Sequence, residues 1–126
     1  MSGIFARSWV STTLVEVRLP RMSSTIPSMW FDGARALRFL EVGRVTSFTN
    51  QCMVNVSTLE TLIIRNPDSV PFYGWNALAG SGVSKGNGYI YVPRNMVEAY
   101  KSATGWSEFG DQVRAIEDYP EITGGL

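Results

Sequence analysis

Leu59-Glu-Thr-Leu62-Ile-Ile64 is the stretch on which the fold turns: an apolar residue, another three later, and a third two after that. The phrase recurs upstream as Leu37-Arg-Phe-Leu40-Glu-Val42 and Leu14-Val-Glu-Val17-Arg-Leu19-Pro20, and downstream as Asn87-Gly-Tyr-Ile90-Tyr-Val92-Pro93. The copies start at Leu14, Leu37, Leu59 and Asn87, so the last step is the longest. The fourth copy therefore carries an insertion, and it has lost its first leucine. A strand-like phrase at a period of roughly 20 to 30 residues marks a stack of repeats, none of which can bury its apolar side alone.

Within the phrase, residues alternate inward and outward as a short strand requires. The inward columns are Leu14, Val17 and Leu19; Leu37, Leu40 and Val42; and Leu59, Leu62 and Ile64. A second phrase lies between the strands. Phe31 precedes Leu37 by six residues and Met53 precedes Leu59 by six, with Ile26 and Phe48 five residues before those. Phe72 and Ala77 repeat the five-residue step ahead of the fourth copy. We read a strand or turn entry at Ile26, Val45–Phe48 and Val70–Phe72, then one helical turn holding Phe31, Met53 or Ala77. Pro27, Pro67 and Pro71 punctuate the turns.

After the fourth copy the pattern changes. Pro93 pre-sets a first helical turn. Met96, Val97, Tyr100 and Ala103 recur at helical spacing, and Gly105 supplies a left-handed terminus. Trp106, Phe109, Val113 and Ile116 give an apolar face for a second short turn. This is a lid for the last repeat, whose core column is otherwise open to water. Tyr119 to Leu126 reads as an extended tail.

The paired phrases resemble the BspA-type leucine-rich repeat, whose consensus runs Ile, a small helical Phe, a small residue such as Cys, then Leu-x-x-Val-x-Ile-Pro. Val45-Thr-Ser-Phe48, Met53, Val56 and Leu59 to Ile64 carry the likeness, with weaker copies upstream. The tail is more specific: Tyr89-Ile-Tyr-Val-Pro93, Val97-Glu-Ala-Tyr-Lys-Ser-Ala103, Trp106 and Ile116 look like the segment that commonly closes such arrays. The likeness runs from about Leu14 to Ile116. The first copy departs from it, with Ser8 where the helical Phe belongs. The resemblance implies an α/β solenoid: a single leucine-rich repeat domain with parallel strands on one face, short helical turns and a C-terminal helical cap. Repeats fall at about 5–24, 25–47, 48–69 and 70–93, with the cap at 94–118 and the tail at 119–126. It also implies cell-surface adhesion proteins and proteins encoded by phages or prophages.

Composition removes several functions. The 126 residues make one domain. With 44% hydrophobic and 17% charged residues they suit a packed chain, not a disordered one. Lys plus Arg equals Asp plus Glu at 11 each, so no net basic field exists to hold nucleic acid or an anionic membrane. The absence of histidine removes the commonest general base and metal ligand. Cys52 is alone, which excludes an intrachain disulfide and a cysteine-based metal site; it reads as a small core residue. No stretch reaches the roughly 20 apolar residues of a membrane span. Met1 to Val10 lacks a charged segment followed by a long apolar one, so we expect no export signal. The chain is expected to be virion-associated if phage-encoded, and otherwise at a bacterial cell surface.

Motifs with chemical potential are weak. Gly80-Ser-Gly82-Val-Ser-Lys85-Gly86-Asn-Gly88 has the glycines of a phosphate loop but leads into a strand, and no Lys-Ser/Thr pair follows. Glu16 and Glu41 lie at different offsets of the strand face, beside Arg18 and Arg38, a poor pair for glycoside hydrolysis. Glu108, Asp111, Glu117, Asp118 and Glu121 read as a solvated surface. Asn55-Val-Ser57 fits a glycosylation acceptor, and without an export signal it counts as chance. No enzyme site or cofactor is expected.

The outward strand positions are the better lead. Glu16, Phe39, Thr61 and Tyr89 form one column, and Arg18, Glu41, Ile63 and Tyr91 a second. Apolar and aromatic groups rimmed by charge mark an interaction surface. The other two readings are coverage by the chain's own tail and plain strand propensity. Trp30, Tyr73 and Trp75 form a second sticky edge or belong to the core. The N-terminus has no comparable lid: either Ile4, Phe5, Trp9 and Val10 cover the first column, or another chain or a missing N-terminal part does, with Phe5 and Trp9 the docking candidates. The sequence thus points to a non-enzymatic binding module. Its expected partner is a protein, or a glycan, within an oligomer or larger assembly, with no nucleic acid or membrane involved.

Overall fold

The computed structural model describes residues 15–28, 36–53 and 56–125. Its strands are β1 (Glu16–Leu19), β2 (Thr25–Ile26), β3 (Phe39–Val42), β4 (Ser47–Phe48), β5 (Thr61–Ile64), β6 (Phe72–Tyr73), β7 (Tyr89–Val92) and β8 (Val113–Ala115). They form two parallel sheets, one ordered β1-β3-β5-β7-β8 and a smaller one ordered β2-β4-β6. From β1 to β7 the chain alternates between the sheets, so each strand pairs with the one two elements on. Val17, Leu40, Leu62, Ile90 and Val113 stand in one register line. The four-fold phrase thus supplies β1, β3, β5 and β7, and most of its inward letters are core: Leu37, Leu40, Val42, Leu59, Leu62, Ile64, Ile90 and Val92 are all fully buried and Val17 nearly so, while Leu19 is half-buried against them.

The second phrase forms the smaller sheet with one shift. Ile26 pairs in line with Phe48, and Phe48 with Tyr73. Tyr73 and Leu78, not Phe72 and Ala77, therefore repeat the five-residue step. Phe72 points outward and is exposed, while Leu78 is buried. The segments after β4 and β6, read from the sequence as one helical turn each, are successions of turns closed by backbone bonds such as Cys52 N–H to Thr49 O (3.2 Å) and Ala77 N–H to Gly74 O (3.2 Å); among the described residues neither contains a regular helix. The step from Phe48 to Tyr73 is longer than that from Ile26 to Phe48, so extra chain also enters before β6. The Asn66 side chain organises that turn. Its Nδ2 donates to Val45 O (3.0 Å) and its Oδ1 accepts from the amides of Asp68 (2.9 Å) and Ser69 (3.2 Å), so the buried amide is satisfied.

The lid follows the expected start. Pro93 leads into a 3-10 turn (Arg94–Met96) and helix α1 (Val97–Ser102), with Met96 and Tyr100 buried. Gly105 has φ +83°, and a Cβ there would lie 2.5 Å from Tyr73 Cδ1, so only glycine suits both the backbone and the contact. The 3-10 segment Trp106–Gln112 then seats Trp106 against Phe48, Tyr73 and Tyr100, with centroids 5.1, 5.0 and 5.2 Å away. Its indole N–H donates to Pro71 O at 2.8 Å. Beyond the lid the structure corrects two expectations. Val113–Ala115 is a fifth parallel strand beside β7, not part of a turn, because Val113 and Ala115 point inward and extend the core. Residues 119–126 are not all extended: helix α2 (Pro120–Thr123) opens on a proline and closes at Gly124, φ +81°. The sequence readings placed on Leu14, Ser8, Trp30 and Phe31 lie outside the described residues, as do those on Phe5 and Trp9.

Candidate functional site

The candidate site is the outer face of the five-stranded sheet, opposite the core. Parallel register places Glu16, Phe39, Thr61 and Tyr89 side by side, and Arg18, Glu41, Ile63, Tyr91 and Arg114 in the next column along the strands. Strand spacing of about 4.8 Å makes the first column roughly 14 Å long.

The two columns meet different fates. In the second, Ile63 is fully buried, Tyr91 is 3% exposed and Glu41 is 5% exposed. They were expected to line an open contact face. The structure corrects this: the segment after β8 turns back across them. Ile116 joins Ile63 and Tyr91 in a buried cluster, with Phe39 and Tyr119 packed against it. The Tyr119 ring meets that of Tyr91 edge-on, centroids 5.5 Å apart. Burial pushes the Tyr91 phenol above its ordinary range, and the neighbouring Tyr119 and Tyr89 add to the shift. Arg65 closes the arrangement. It pairs with the carboxylate of Glu41 and donates to the carbonyls of Thr123 and Gly125, the latter at 2.6 Å. Thr123 Oγ1 donates to Ile116 O or Tyr119 O, both at 3.0 Å, and accepts from Gly125 N–H at 3.1 Å. A buried carboxylate is tolerable here because the Arg65 guanidinium faces it and Arg18 Nη1 lies 3.5 Å away.

The first column stays open. Tyr89 is 44% exposed and Glu16 is exposed, with Phe39 and Thr61 half-buried. Cations from the second column lean over it: the Arg18 Cζ stands 4.2 Å from the Phe39 centroid and the Arg114 Cζ 4.8 Å from that of Tyr89. These cation–π contacts fix the rings while keeping charge beside them. Of the eight strand residues singled out from sequence, five therefore remain on the accessible strip or its rim (Glu16, Arg18, Phe39, Thr61, Tyr89). Arg114 was missed because β8 was missed.

A second accessible apolar group lies on the smaller sheet's side. Phe72 and Trp75 are exposed, and Trp75 borders a cleft of about 350 Å³. Tyr73, by contrast, serves the core: its ring packs with those of Trp106 and Phe109.

Several of the remaining motifs are absorbed structurally. Glu16 pairs with Arg18 and Glu41 with Arg65. Glu117 accepts from the Arg94 amide (2.9 Å) and Asp118 pairs with the Arg94 side chain, fastening the lid to the segment after β8. The glycine-rich loop leads into β7, and Gln112 Nε2 braces it at Val83 O and Gly88 O, both 2.7 Å. Cys52 is buried, and desolvation pushes its thiol up to about 12. Among the described residues no group of three or more His, Cys, Asp or Glu is placed to hold a metal, and no helix is long and apolar enough to cross a membrane. No protein-family model, curated protein or solved structure matches the chain.

Proposed function

We propose that the protein is a non-enzymatic binding module, a leucine-rich repeat solenoid that contacts a protein partner through the strip Glu16, Phe39, Thr61 and Tyr89. The observation that carries this reading is the division of the outer face. The C-terminal segment covers the second column, yet Tyr89 is left 44% exposed beside the exposed Glu16. Aromatic rings held by arginines are the groups that dominate protein interfaces, since they bury large area at little cost in side-chain entropy. The two parallel sheets and their common register support the solenoid.

The family resemblance extends the proposal to a virion-associated protein of a phage tail or baseplate. A cell-surface adhesin module is the second reading, and a carbohydrate-active enzyme a remote third. Gene neighbours encoding capsid and tail proteins support the first; a longer reading frame with a wall anchor overturns it. The contact itself is tested by Tyr89→Ala and Phe39→Ala. Each is expected to weaken partner binding at least ten-fold, Tyr89→Ala with little change in melting temperature and Phe39→Ala with some loss because its ring packs against the Ile63 cluster, and undiminished binding by both variants contradicts the assignment.

A further inference from the structure

A cleft of about 350 Å³ opens where the turn after β6 meets the glycine-rich loop and the lid, and it shares no residue with the Tyr89 strip. Its size falls within the range of small-ligand sites, about 300–1,000 Å³. Trp75 stands at its edge and is 66% exposed. An exposed indole at the edge of a cleft offers apolar area that a ligand seated there can bury. The backbone beneath it is fixed from both sides: Trp75 N–H donates to Asn50 Oδ1 at 2.8 Å, and Trp75 O accepts from Gln51 N–H at 2.9 Å. The ring is thus a flat apolar platform on a held backbone, which reduces the ordering cost of a ligand.

Polar groups accompany the platform. Tyr73, Asn76, Ser84, Thr104 and Glu108 contribute to the lining. The Tyr73 oxygen accepts from Leu78 N–H at 3.2 Å, so its own proton remains free to donate. Burial raises the Tyr73 phenol above its ordinary range and the Glu108 charge adds to the shift, so it stays protonated at neutral pH. Glu108 and Asn76 offer strong acceptors; Ser84 and Thr104 offer hydroxyls that donate or accept.

The chemistry of the lining narrows the occupant. Among the described residues no lysine or arginine lines the cleft, and Glu108 repels anions, so phosphates, nucleotides and acidic sugars are disfavoured. A quaternary ammonium needs several aromatic faces around one point. Here one side of the Tyr73 ring is taken by Gly105, where even a Cβ would not fit, and the ring also packs on Trp106 and Phe109. Trp75 alone offers an open face. One flat apolar platform beside scattered hydroxyl, amide and carboxylate groups matches a ring with one face of C–H bonds and an equatorial belt of hydroxyls. The C–H bonds, slightly positive, meet the negative indole face, and the hydroxyls meet the polar groups.

We propose that this cleft is a binding site for an uncharged pyranose unit of a glycan, stacked on Trp75 and hydrogen-bonded by Asn76, Glu108 and the Tyr73 hydroxyl. The full chain is applied to an array of immobilised neutral, sialylated and sulfated oligosaccharides, and the best neutral sugar is then titrated by NMR. The expected result is selective retention on neutral glycans, reduced at least ten-fold by Trp75→Ala and several-fold by Glu108→Gln, and unchanged by Asp111→Asn. The Trp75 indole N–H resonance should shift on titration while that of Trp106 stays put, a readout that does not depend on any variant folding. Retention on anionic glycans alone, no retention on any neutral glycan, competition by choline, or equal retention by Trp75→Ala overturns the proposal. None of these residues belongs to the Tyr89 strip, so the two assignments succeed or fail separately.

Discussion

Arg65 and Gly125, sixty residues apart, are joined by a hydrogen bond of 2.6 Å from the guanidinium Nη1 to the carbonyl oxygen. The same guanidinium pairs with Glu41, so one side chain both neutralises a buried carboxylate and straps the C-terminal segment across the sheet. This strap decides which outer residues of the sheet stay accessible.

Arg65→Ala should therefore do two things at once. It leaves Glu41 buried with only Arg18 nearby, at a cost of about 2–4 kcal/mol. It also loosens the strap, exposing Ile63 and Tyr91. Urea unfolding measures the first effect, and binding of an apolar dye the second. A further change of Glu41 to Gln in the Arg65→Ala background should recover part of the lost stability, since the charge is then gone. A loss no larger than that of an ordinary surface substitution, with no added dye binding, contradicts the role given to Arg65.

Tyr100 presents the opposite case. Its ring is fully buried, and its hydroxyl has no hydrogen-bond partner among the described residues. A buried hydroxyl without a partner opposes folding. Tyr100→Phe should be neutral or stabilise the chain by up to about 1 kcal/mol. A clear fall in melting temperature would mean that the hydroxyl has a partner after all.

Trp106→Ala should be the most damaging single change to the lid. It removes a side chain that touches Phe48, Tyr73 and Tyr100 and leaves Pro71 O without its indole donor. A loss of about 3–5 kcal/mol is expected, measured by denaturant unfolding against Trp75→Ala, whose exposed ring should cost little. Similar losses for the two variants would contradict the packing.

Stability should fall in alkali. Cys52, Tyr73, Tyr91 and Tyr100 are all raised above their ordinary values, chiefly by burial. The native chain then keeps protons that the unfolded chain gives up, so unfolding free energy declines as pH rises past the ordinary thiol and phenol values. The stabilisation present below about pH 9 is lost progressively above it, each group contributing a slope of at most about 1.4 kcal/mol per pH unit. Melting temperature should be several degrees higher at neutral pH than in alkali beyond the ordinary phenol range. The Cys52 thiol should also resist a disulfide reagent in mildly alkaline buffer until denaturant is added; rapid labelling of the native protein would show that it is not buried.

Much of the architecture was written in the apolar letters. The period located β1, β3, β5 and β7 because each inward residue stacks on its copy in the next strand, and that stacking is a local, repeated requirement. The division of the outer face was also present, though less plainly. Glu16-Val-Arg-Leu19 alternates polar and apolar, as a strand with one wet face does. Thr61-Leu-Ile-Ile64 and Tyr89-Ile-Tyr-Val92 are nearly continuous apolar runs, as parallel strands covered on both faces are. The change from one to the other signals where the cover begins. Its agent was harder to read, since the contacts of Arg65, Ile116, Tyr119 and Thr123 join residues far apart in sequence and have no period. β8 was missed for a related reason. Val113 follows Ile90 at the same step by which Leu40 follows Val17, but a short strand with a single large inward side chain is too brief a phrase to stand out.

The most direct measurement is photo-cross-linking in the assembled state, with a benzophenone amino acid placed singly at Phe39, Ile63, Tyr89 and Glu98. Phe39 and Tyr89 sit on the open strip, Ile63 lies beneath the C-terminal segment, and Glu98 is an exposed position on the lid. Capture of one and the same protein partner from Phe39 and Tyr89, with none from Ile63 or Glu98, is the expected result. Capture from Glu98 alone, or equally from all four positions, contradicts a binding face at Phe39 and Tyr89.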